Sequence, residues 1–397
     1  LKDGLRLFPM FHYSSYREEP GLKTNKKFAR IALATGLTAT MAFGTIVTPA
    51  SMAFAAGAGS TVTFEDGVYS ASSTYKGIQI FKGTVAISDG ATTVSSIDWA
   101  SDIAKAAVLT AIKAKDASYA SENAQDAADW LNANAGVSGA DSKVESSNVL
   151  SMIAANLNDS GAWKTTTAGN ASLSGLEAGY WLFLTDTAGT PNGTSTDAFT
   201  SPVYAVIDGT SSTTVTPKKG VPTVEKKILD DADATVADVK SSDKWKDVAD
   251  SQIGQEVNYK LTGTIASNYA TFDTYAYKFT DVLSSGLDYV GGSVEVYALN
   301  SGTYTEIDMS KYDVAWTDNT LTVEFKVGDG HKGLKDVEGV NANTEIVVFY
   351  KAKLNGSATI GNADGDSKGG NPNTVKLAYS NNPYAEGMGE TIEDTVA

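Results

Sequence analysis

Apolar and polar residues alternate regularly along three separate stretches of the chain, and this pattern predicts β-strands. In a strand, alternate side chains lie on the same face. One polar residue in each stretch, Lys226, Asp281 or Asn373, shares its face with apolar residues. The three faces are Val224, Lys226 and Ile228; Tyr275, Tyr277, Phe279 and Asp281; and Asn373, Val375, Leu377 and Tyr379. We therefore predict that an amine, a carboxyl and a carboxamide point into a core, where leaving them unpaired is costly.

The first half of the chain mixes strand and helix patterns. Strands are predicted at residues 75–81, 179–184 and 201–207, bounded by turns rich in Gly, Asn, Ser and Thr. Between them, residues 102–133 are rich in Ala, Asp and Lys and carry apolar residues at helical spacing, and residues 148–157 predict a second helix. This half is predicted to be a strand-rich domain with a helical insertion.

The second half is predicted to be almost entirely β. Short alternating strands are separated by turns of Gly, Asn, Asp and Ser, and residues 344–350 form a more continuous apolar strand. The alternating positions are Val257, Tyr259, Leu261 and Ile265; Val294 and Val296; and Leu321, Val323, Phe325 and Val327. The predicted fold class is mainly β, with tandem immunoglobulin-like β-sandwich domains of which the first carries the helical insertion.

The beginning of the chain has the order of segments that is typical of an export signal. Basic residues from Lys23 to Arg30 precede an apolar run that ends near Val47, and Ala53-Phe-Ala55 suits a cleavage site. A membrane anchor is the alternative, but the apolar run is short and is interrupted by Gly and Thr. We expect an exported protein whose residues 1–55 comprise an upstream extension and a signal peptide.

The segment Val215-Thr-Pro-Lys-Lys-Gly-Val-Pro222 separates the two halves. Its two prolines and its glycine favour an extended, exposed connection with accessible lysines. The predicted division is a signal region at 1–55, a first domain at 56–214, a linker at 215–221 and a sandwich domain at 222–397.

Composition narrows the classes of function. The net charge is −16 over 397 residues, which disfavours nucleic acid and anionic membranes as partners. The chain has no cysteine, so the protein is not stabilised by disulfides. Its two histidines, His12 and His331, are a poor basis for a catalytic triad or a zinc site, and no pair of carboxylates suggests a hydrolase. We expect no cofactor, no metal and no enzyme that turns over a substrate.

The three inward polar residues have the chemistry of a self-formed amide cross-link. Burial lowers the pKa of a lysine and raises that of a carboxyl, so Lys226 would be a neutral nucleophile and Asp281 a proton donor. Asp281 would hydrogen-bond the carboxamide oxygen of Asn373, the amine would attack the carbon, and ammonia would leave. Close contact supplies the effective concentration that a single slow reaction needs.

Ordinary interpretations remain open for each residue. A lysine in a strand usually covers apolar surface with its stem and keeps its amine in water. Asp281 and Asn373 could each begin a turn. The pattern alone does not choose between these alternatives and the cross-link.

Four motifs add a family resemblance. They are Pro222-Thr-Val-Glu-Lys-Lys-Ile228, Ile253-Gly-Gln-Glu-Val-Asn-Tyr259, Lys278-Phe-Thr-Asp-Val-Leu-Ser-Ser-Gly-Leu287 and Asn373-Thr-Val-Lys-Leu-Ala-Tyr-Ser-Asn-Asn-Pro383. With the motifs in this order, the run from Val215 to Tyr384 resembles the collagen-adhesin-type, isopeptide-forming domain of Gram-positive sortase-assembled fimbrial (major pilin) subunits. The resemblance implies a bond between Lys226 and Asn373 that is assisted by Asp281. Lys227 lies on the opposite face and is the weaker candidate.

The resemblance also implies a role for the linker. In that family a Tyr-Pro-Lys motif supplies the lysine to which sortase joins the next subunit. Thr216-Pro-Lys218 occupies the corresponding place, so Lys218 is the candidate and the adjacent Lys219 is the alternative. The implied partners are further copies of the same subunit, a pilus-specific sortase, minor pilins and host surface ligands, on the cell wall of a Gram-positive bacterium.

A different class of function remains open beside the pilus backbone subunit. A wall-anchored adhesin of similar fold would bind host glycan or matrix protein without polymerising, and it would need no acceptor lysine. The sequence to Ala397 contains no Leu-Pro-x-Thr-Gly sorting signal, so we expect the C-terminal part of the full protein to be missing.

Overall fold

The computed structural model describes the chain from residue 59 onward with four internal gaps. The described ranges are 59–88, 91–136, 144–230, 239–361 and 370–397. The predicted signal region at 1–55 lies outside them. Strands in several sheets dominate, and 17% of the structure is helical, so the mainly β fold class is confirmed. Within these ranges, no helix combines the length and the apolar character that crossing a membrane requires.

The first half of the described chain contains two sheets and three helices. Its elements are β1 (Ser60–Phe64), β2 (Thr74–Ser88), β3 (Ala91–Trp99), α1 (Asp102–Lys115), α2 (Ala124–Asn134), α3 (Val149–Asn158), β4 (Lys164–Thr165), β5 (Ser172–Leu176), β6 (Gly179–Thr187), β7 (Val203–Ile207) and β8 (Ser212–Val215). One sheet has the order β3-β2-β6-β7, with β4 beside β2, and the other has the order β5-β1-β8.

The helical insertion consists of three capped helices. The single predicted stretch at 102–133 is divided into α1 and α2, because Asn123 begins a new helix by accepting hydrogen bonds from two backbone N–H groups. In α1, Val108 and Ile112 are fully buried, whereas Ile103 is 45% exposed. The buried helix faces share one core cluster with Ile80 and other residues of the β2–β6 sheet, so that sheet holds the insertion in place.

The second half forms two larger sheets. Its strands are β9 (Val224–Leu229), β10 (Trp245–Lys246), β11 (Glu256–Gly263), β12 (Tyr277–Leu283), β13 (Leu287–Tyr289), β14 (Glu295–Asn300), β15 (Thr303–Glu306), β16 (Tyr312–Thr317), β17 (Thr320–Phe325), β18 (Val327–Gly328), β19 (His331–Lys332), β20 (Glu345–Leu354), β21 (Asn373–Ser380), β22 (Met388–Glu390) and β23 (Asp394–Val396). One sheet runs β10-β9-β11-β20-β14-β15, with β13 beside β20. The other runs β16-β17-β12-β21-β22, with β23 beside β21, and β18 pairs with β19.

These two sheets enclose a shared core, which confirms the predicted sandwich. Leu261 of β11 and Val348 of β20 belong to the same buried cluster as Phe279 of β12 and Val375 of β21. Along β11, β12 and β21 the side chains alternate between this core and the more exposed face, as antiparallel sheets with one solvated face require. Val327 departs from its predicted face and is 51% exposed, because β17 ends at Phe325 and a new short hairpin begins.

The linker is packed rather than exposed, which corrects the prediction that both of its lysines are accessible. Pro217 is buried, and a Cβ on Gly220 would collide with Ser267 of the second half. The Lys219 side chain is only 5% exposed because two aspartates pair with its amine. Lys218 is partly exposed. The division of the chain into domains at this linker stays a prediction.

Candidate functional site

Lys226 lies in the middle of β9 and points into the sandwich core. Burial alternates along this strand, so Lys226 is fully buried between Val224 and Ile228 whereas Lys227 is partly exposed. Lys227 instead forms ion pairs with Glu225 and Asp247, at 3.2 and 2.7 Å. The strand geometry thus selects Lys226 over its neighbour for the interior.

Asp281 and Asn373 lie on adjacent strands of the facing sheet. Asp281 of β12 pairs with Val375 of β21, and Asn373 pairs with Leu283 at the end of the same ladder. Asn373 lies two residues from Val375 on β21, so the side chains of Asp281 and Asn373 are on the same face of the sheet. Both are fully buried. The inward orientation that the sequence predicted for all three residues is observed.

The tyrosine hydroxyl of Tyr350 joins the three groups. The Lys226 Nζ donates to an oxygen of Asp281 and, at 3.1 Å, to the Tyr350 hydroxyl. That hydroxyl donates to the other oxygen of Asp281 at 2.6 Å and accepts from Nδ2 of Asn373 at 2.6 Å. The amine, the carboxyl and the carboxamide therefore share one buried pocket on β9, β12, β20 and β21.

The carboxamide of Asn373 is bonded differently from the prediction. The two oxygens of Asp281 accept hydrogen bonds from Lys226 and Tyr350. Oδ1 of Asn373 is buried and has no hydrogen-bond partner among the described residues. The predicted direct bond from Asp281 to the carboxamide oxygen is replaced by a connection through Tyr350. A buried oxygen without a donor is a costly arrangement, and it is the atom on which charge would develop if the amine attacked.

Two aromatic rings form the walls around the amine. Tyr259 of β11 and Tyr350 of β20 stack with their ring centroids 5.1 Å apart, and the Lys226 Nζ lies 5.3 and 5.4 Å from them. The rings exclude water from the ammonium while leaving it a favourable electrostatic contact. The sequence analysis assigned neither tyrosine to the site.

Burial shifts the pKa values of the two ionisable partners towards their neutral forms. Loss of hydration lowers the pKa of Lys226 to about 8, against the opposing attraction of Asp281. The same burial raises the pKa of Asp281, although Lys226 opposes this shift. A neutral amine beside a protonated carboxyl is therefore far more accessible here than for the same pair in water.

The backbone of Lys226 is held by the last described strand. Its N–H donates to Oδ2 of Asp394 at 2.6 Å, and Asp394 belongs to β23, which pairs with β21. The strand that carries the amine and the strand that carries the carboxamide are thus connected through a third one. This contact fixes the position of the amine relative to Asn373.

The linker lysines lie in different surroundings. The backbone of Lys218 is fixed, since its N–H donates to Oγ1 of Thr200 at 2.6 Å and its carbonyl accepts from the N–H of Ser201 at 2.8 Å. Its side chain is partly exposed. Lys219 points inward, where its amine contacts Asp66 and Asp197.

Comparison with known proteins identifies one part of this chain. Residues 253–383 match the family model described as Gram-positive pilin backbone subunit 2, Cna-B-like domain. No curated protein matches the chain. Similar solved structures include the T6 backbone pilin of Streptococcus pyogenes, at 16% identity and a TM-score of 0.47, over 85% of this chain and 64% of that one.

Two further structures give the same kind of match. BcpA, the major pilin subunit of Bacillus cereus, is 18% identical with a TM-score of 0.35, over 58% of this chain and 57% of that one. The fimbrial protein FimP from Actonomyces oris is 12% identical with a TM-score of 0.41, over 84% of this chain and 64% of that one. This chain spans less than two thirds of each of these proteins. Residues 253–383 are similar to the Cna-B-like domain of Gram-positive pilin backbone subunits, as the sequence motifs predicted.

Proposed function

We propose that Lys226 and Asn373 form an intramolecular amide with Asp281 as the proton carrier. The observation that carries this proposal is the complete burial of an amine, a carboxyl and a carboxamide that meet at the hydroxyl of Tyr350. The amine nitrogen attacks Cγ of Asn373, a C–N bond forms, and the original C–N bond breaks. Asp281 moves a proton from the attacking to the leaving nitrogen, so one ammonia departs.

The cross-link would connect the first and the last long strands of the sandwich. β9 opens this half, and β21 is the last of its long strands. A bond between them closes a loop of roughly 150 residues, which restricts the unfolded chain as a disulfide does. This reaction occurs once in each molecule, so the protein acts as a structural element and not as an enzyme.

We propose further that the protein is a backbone subunit of a covalent pilus on the bacterial surface. The match of residues 253–383 to a pilin backbone domain supports this role. Lys218 is the proposed acceptor of the sortase-bound neighbouring subunit, since its side chain is partly exposed while that of Lys219 is enclosed by two aspartates. Its partners are then copies of the same subunit, the sortase that joins them, and minor pilins.

Mass spectrometry tests the cross-link. We expect a digest of the denatured wild-type protein to contain a branched peptide that joins Lys226 to Asn373 and is one ammonia lighter than its two parts. Lys226→Ala and Asp281→Ala should lack this peptide, whereas Lys227→Ala, the matched change on the opposite face, should retain it. Two separate linear peptides from folded wild-type protein would contradict the proposal.

A polymerisation assay tests the role of the linker. Sortase needs a primary amine, so Lys218→Arg keeps the positive charge but should abolish the ladder of covalent multimers when a full-length subunit is co-expressed with its sortase. Lys244→Arg is the control, because Lys244 is exposed and lies outside the linker. Persistent multimers in Lys218→Arg would reject this lysine, and a wild-type subunit that never forms multimers would favour the non-polymerising adhesin.

A further inference from the structure

A second buried lysine lies between two carboxyls at the end of the linker. The amine of Lys219 contacts Oδ2 of Asp66 at 2.6 Å and an oxygen of Asp197. The side chains of Lys219, Asp66 and Asp197 are 5%, 10% and 0% exposed. Asp66 follows β1, and Asp197 lies in the connection between β6 and β7, so three distant segments meet at this amine.

The surroundings of Lys219 repeat those of Lys226. The amine lies 5.6 and 5.5 Å from the ring centroids of Tyr69 and Tyr75. The hydroxyl of Tyr75 donates to Asp66, as the hydroxyl of Tyr350 donates to Asp281 in the other pocket. Each pocket therefore contains an amine between two tyrosine rings and a carboxyl that is held by a tyrosine.

Asp197 occupies the position of the electrophile in this arrangement. Its Oδ1 accepts from the backbone N–H of Ala198 at 2.7 Å, and its Oδ2 accepts from the hydroxyl of Ser73 at 2.5 Å and from Lys219. These donors fix the carboxyl against the amine and are aimed at oxygens that would gain charge during attack. Burial raises the pKa of Asp197, although Lys219 opposes this shift, so the neutral acid is more accessible here than it is in water.

Charge also distinguishes this cluster from a simple ion pair. Two carboxyls face one ammonium in a site that water hardly reaches, so one carboxylate would remain uncompensated. An amide between Lys219 and one of them removes an ammonium and a carboxylate together. The remaining Asp66 keeps the hydroxyl of Tyr75 as a donor and is the more exposed of the two acids.

We propose that Lys219 and Asp197 form a second intramolecular amide, with Asp66 as the proton carrier. Asp66 accepts a proton from the ammonium, the neutral nitrogen attacks Cγ of Asp197, and a C–N bond forms. The C–O bond to one carboxyl oxygen then breaks, and that oxygen leaves as water with protons that came from the nitrogen. The bond attaches the end of the linker to the first half of the chain, and it leaves Lys218 as the linker lysine with a primary amine.

Intact mass in a Lys226→Ala background isolates this reaction from the one proposed above. We expect folded Lys226→Ala protein to be one water lighter than its sequence requires, and Lys226→Ala/Asp66→Asn to have its full mass. In a digest of wild-type protein, a branched peptide should join Lys219 to Asp197 whether or not a Lys226–Asn373 peptide is found. Because the digest uses wild-type protein, it tests the proposal even if the Lys226 variants do not fold.

The leaving group supplies a second and more specific test. In Lys226→Ala/Asp197→Asn the electrophile is a carboxamide, so the same bond should form with loss of ammonia instead of water. Lys226→Ala/Asp197→Ala should show neither loss. A full mass for folded Lys226→Ala protein, together with unbranched peptides from this region of the wild type, would mean that Lys219 forms only an ion pair and would overturn the proposal.

Discussion

The two lysine pockets of this molecule contain the same parts in different settings. Lys226 lies between two sheets and reaches a carboxamide on the last long strand, whereas Lys219 lies at the end of the linker and reaches a carboxyl in a loop. In both pockets two tyrosine rings enclose the amine and one tyrosine hydroxyl holds a carboxyl. The comparison teaches that an amine, a carboxyl and two tyrosine rings can be brought together by regular strands alone or by loops packed against a strand.

The two proposed electrophiles, Asn373 and Asp197, differ in the hydrogen bonds that their oxygens accept. Within the described part of the chain, the buried carboxamide oxygen of Asn373 has no donor, while both carboxyl oxygens of Asp197 accept hydrogen bonds. The carboxamide oxygen in the Asn373 pocket is therefore unsatisfied, whereas the Asp197 carboxyl is stabilised by hydrogen bonds from the protein. We accordingly expect the Lys226–Asn373 bond to be the stronger contributor and the faster to form.

The largest effect is expected from Asp281→Asn, which removes the proposed proton carrier and nearly preserves the volume of the side chain. Without the cross-link, the loop between Lys226 and Asn373 is free in the unfolded chain, and chain entropy predicts a loss of about 4 to 5 kcal/mol from the free energy of unfolding. Denaturant unfolding of the full chain, with a probe in the sandwich half, measures this loss. An unchanged midpoint would show that the carboxyl is not needed for the bond or that the bond does not stabilise the fold.

A smaller loss is expected from the matched change in the other pocket, Asp66→Asn. Asp197 and Lys219 are only 22 residues apart in sequence, so their amide closes a much shorter loop. Chain entropy then predicts a loss of about 3 kcal/mol, and Asp197 still pairs with Lys219 in the variant. Denaturant unfolding of the full chain, with a probe in its first half, measures this loss. A loss larger than that of Asp281→Asn would reverse the ranking of the two pockets.

The sequence located one pocket and missed the other for a physical reason. Lys226, Asp281 and Asn373 lie on strands with one solvated face, where strict alternation shows which way each side chain points. Asp66 and Asp197 lie outside strands, so no periodicity marks their direction. Contacts between loops that are distant in sequence depend on the tertiary packing, which alternation does not encode.

Tyr350 was missed for a different reason. It lies on β20, where five consecutive residues from Ile346 to Tyr350 are buried because both faces of this central strand are covered. Val347 and Phe349 pack in a separate cluster on the outer face. A continuous apolar run has no visible phase, so the sequence could not show that Tyr350 points to the same side as Lys226.

Tyr350→Phe tests how far the tyrosine hydroxyl positions the reacting groups. The change keeps the aromatic wall but removes the hydrogen bonds to Asp281 and Asn373. A hydrogen bond to a charged group contributes about 1.5 to 3 kcal/mol, so we expect bond formation to slow by about tenfold to a hundredfold. Protein recovered unfolded from inclusion bodies, refolded and sampled by mass spectrometry gives the rate.

Tyr75→Phe is the corresponding change beside Lys219. It should slow the formation of the Lys219–Asp197 bond and leave that of the Lys226–Asn373 bond unaltered. If each tyrosine change slows only the bond in its own pocket, the tyrosines act locally. If either change slows both bonds by the same factor, it acts through folding of the chain and the parallel between the pockets fails.

The pH dependence of the Lys226 reaction should be bell-shaped. In the reactive form the carboxyl of Asp281 is protonated and the amine of Lys226 is neutral. At low pH both groups are protonated and the amine is no nucleophile, while above the lowered Lys226 pKa of about 8 the pair loses its last proton and Asp281 has none to donate. Refolding at a series of pH values should show the rate falling above about pH 8. A rate that keeps rising with pH would mean that only the amine must lose its proton.

The smallest effect is expected from Lys227→Ala. This change tests whether the reaction depends on the burial of Lys226 or only on a lysine lying at this point of β9. Lys227 is adjacent to Lys226 and has two ion pairs, but these lie at the surface, where such pairs contribute about 0 to 1 kcal/mol. We expect the unfolding free energy to change within that range and the mass of the folded protein to show the same losses as the wild type. If Lys227→Ala instead removed the loss of ammonia, the nucleophile would be the outward lysine, and the burial that unites the two pockets would not be the cause of the reaction.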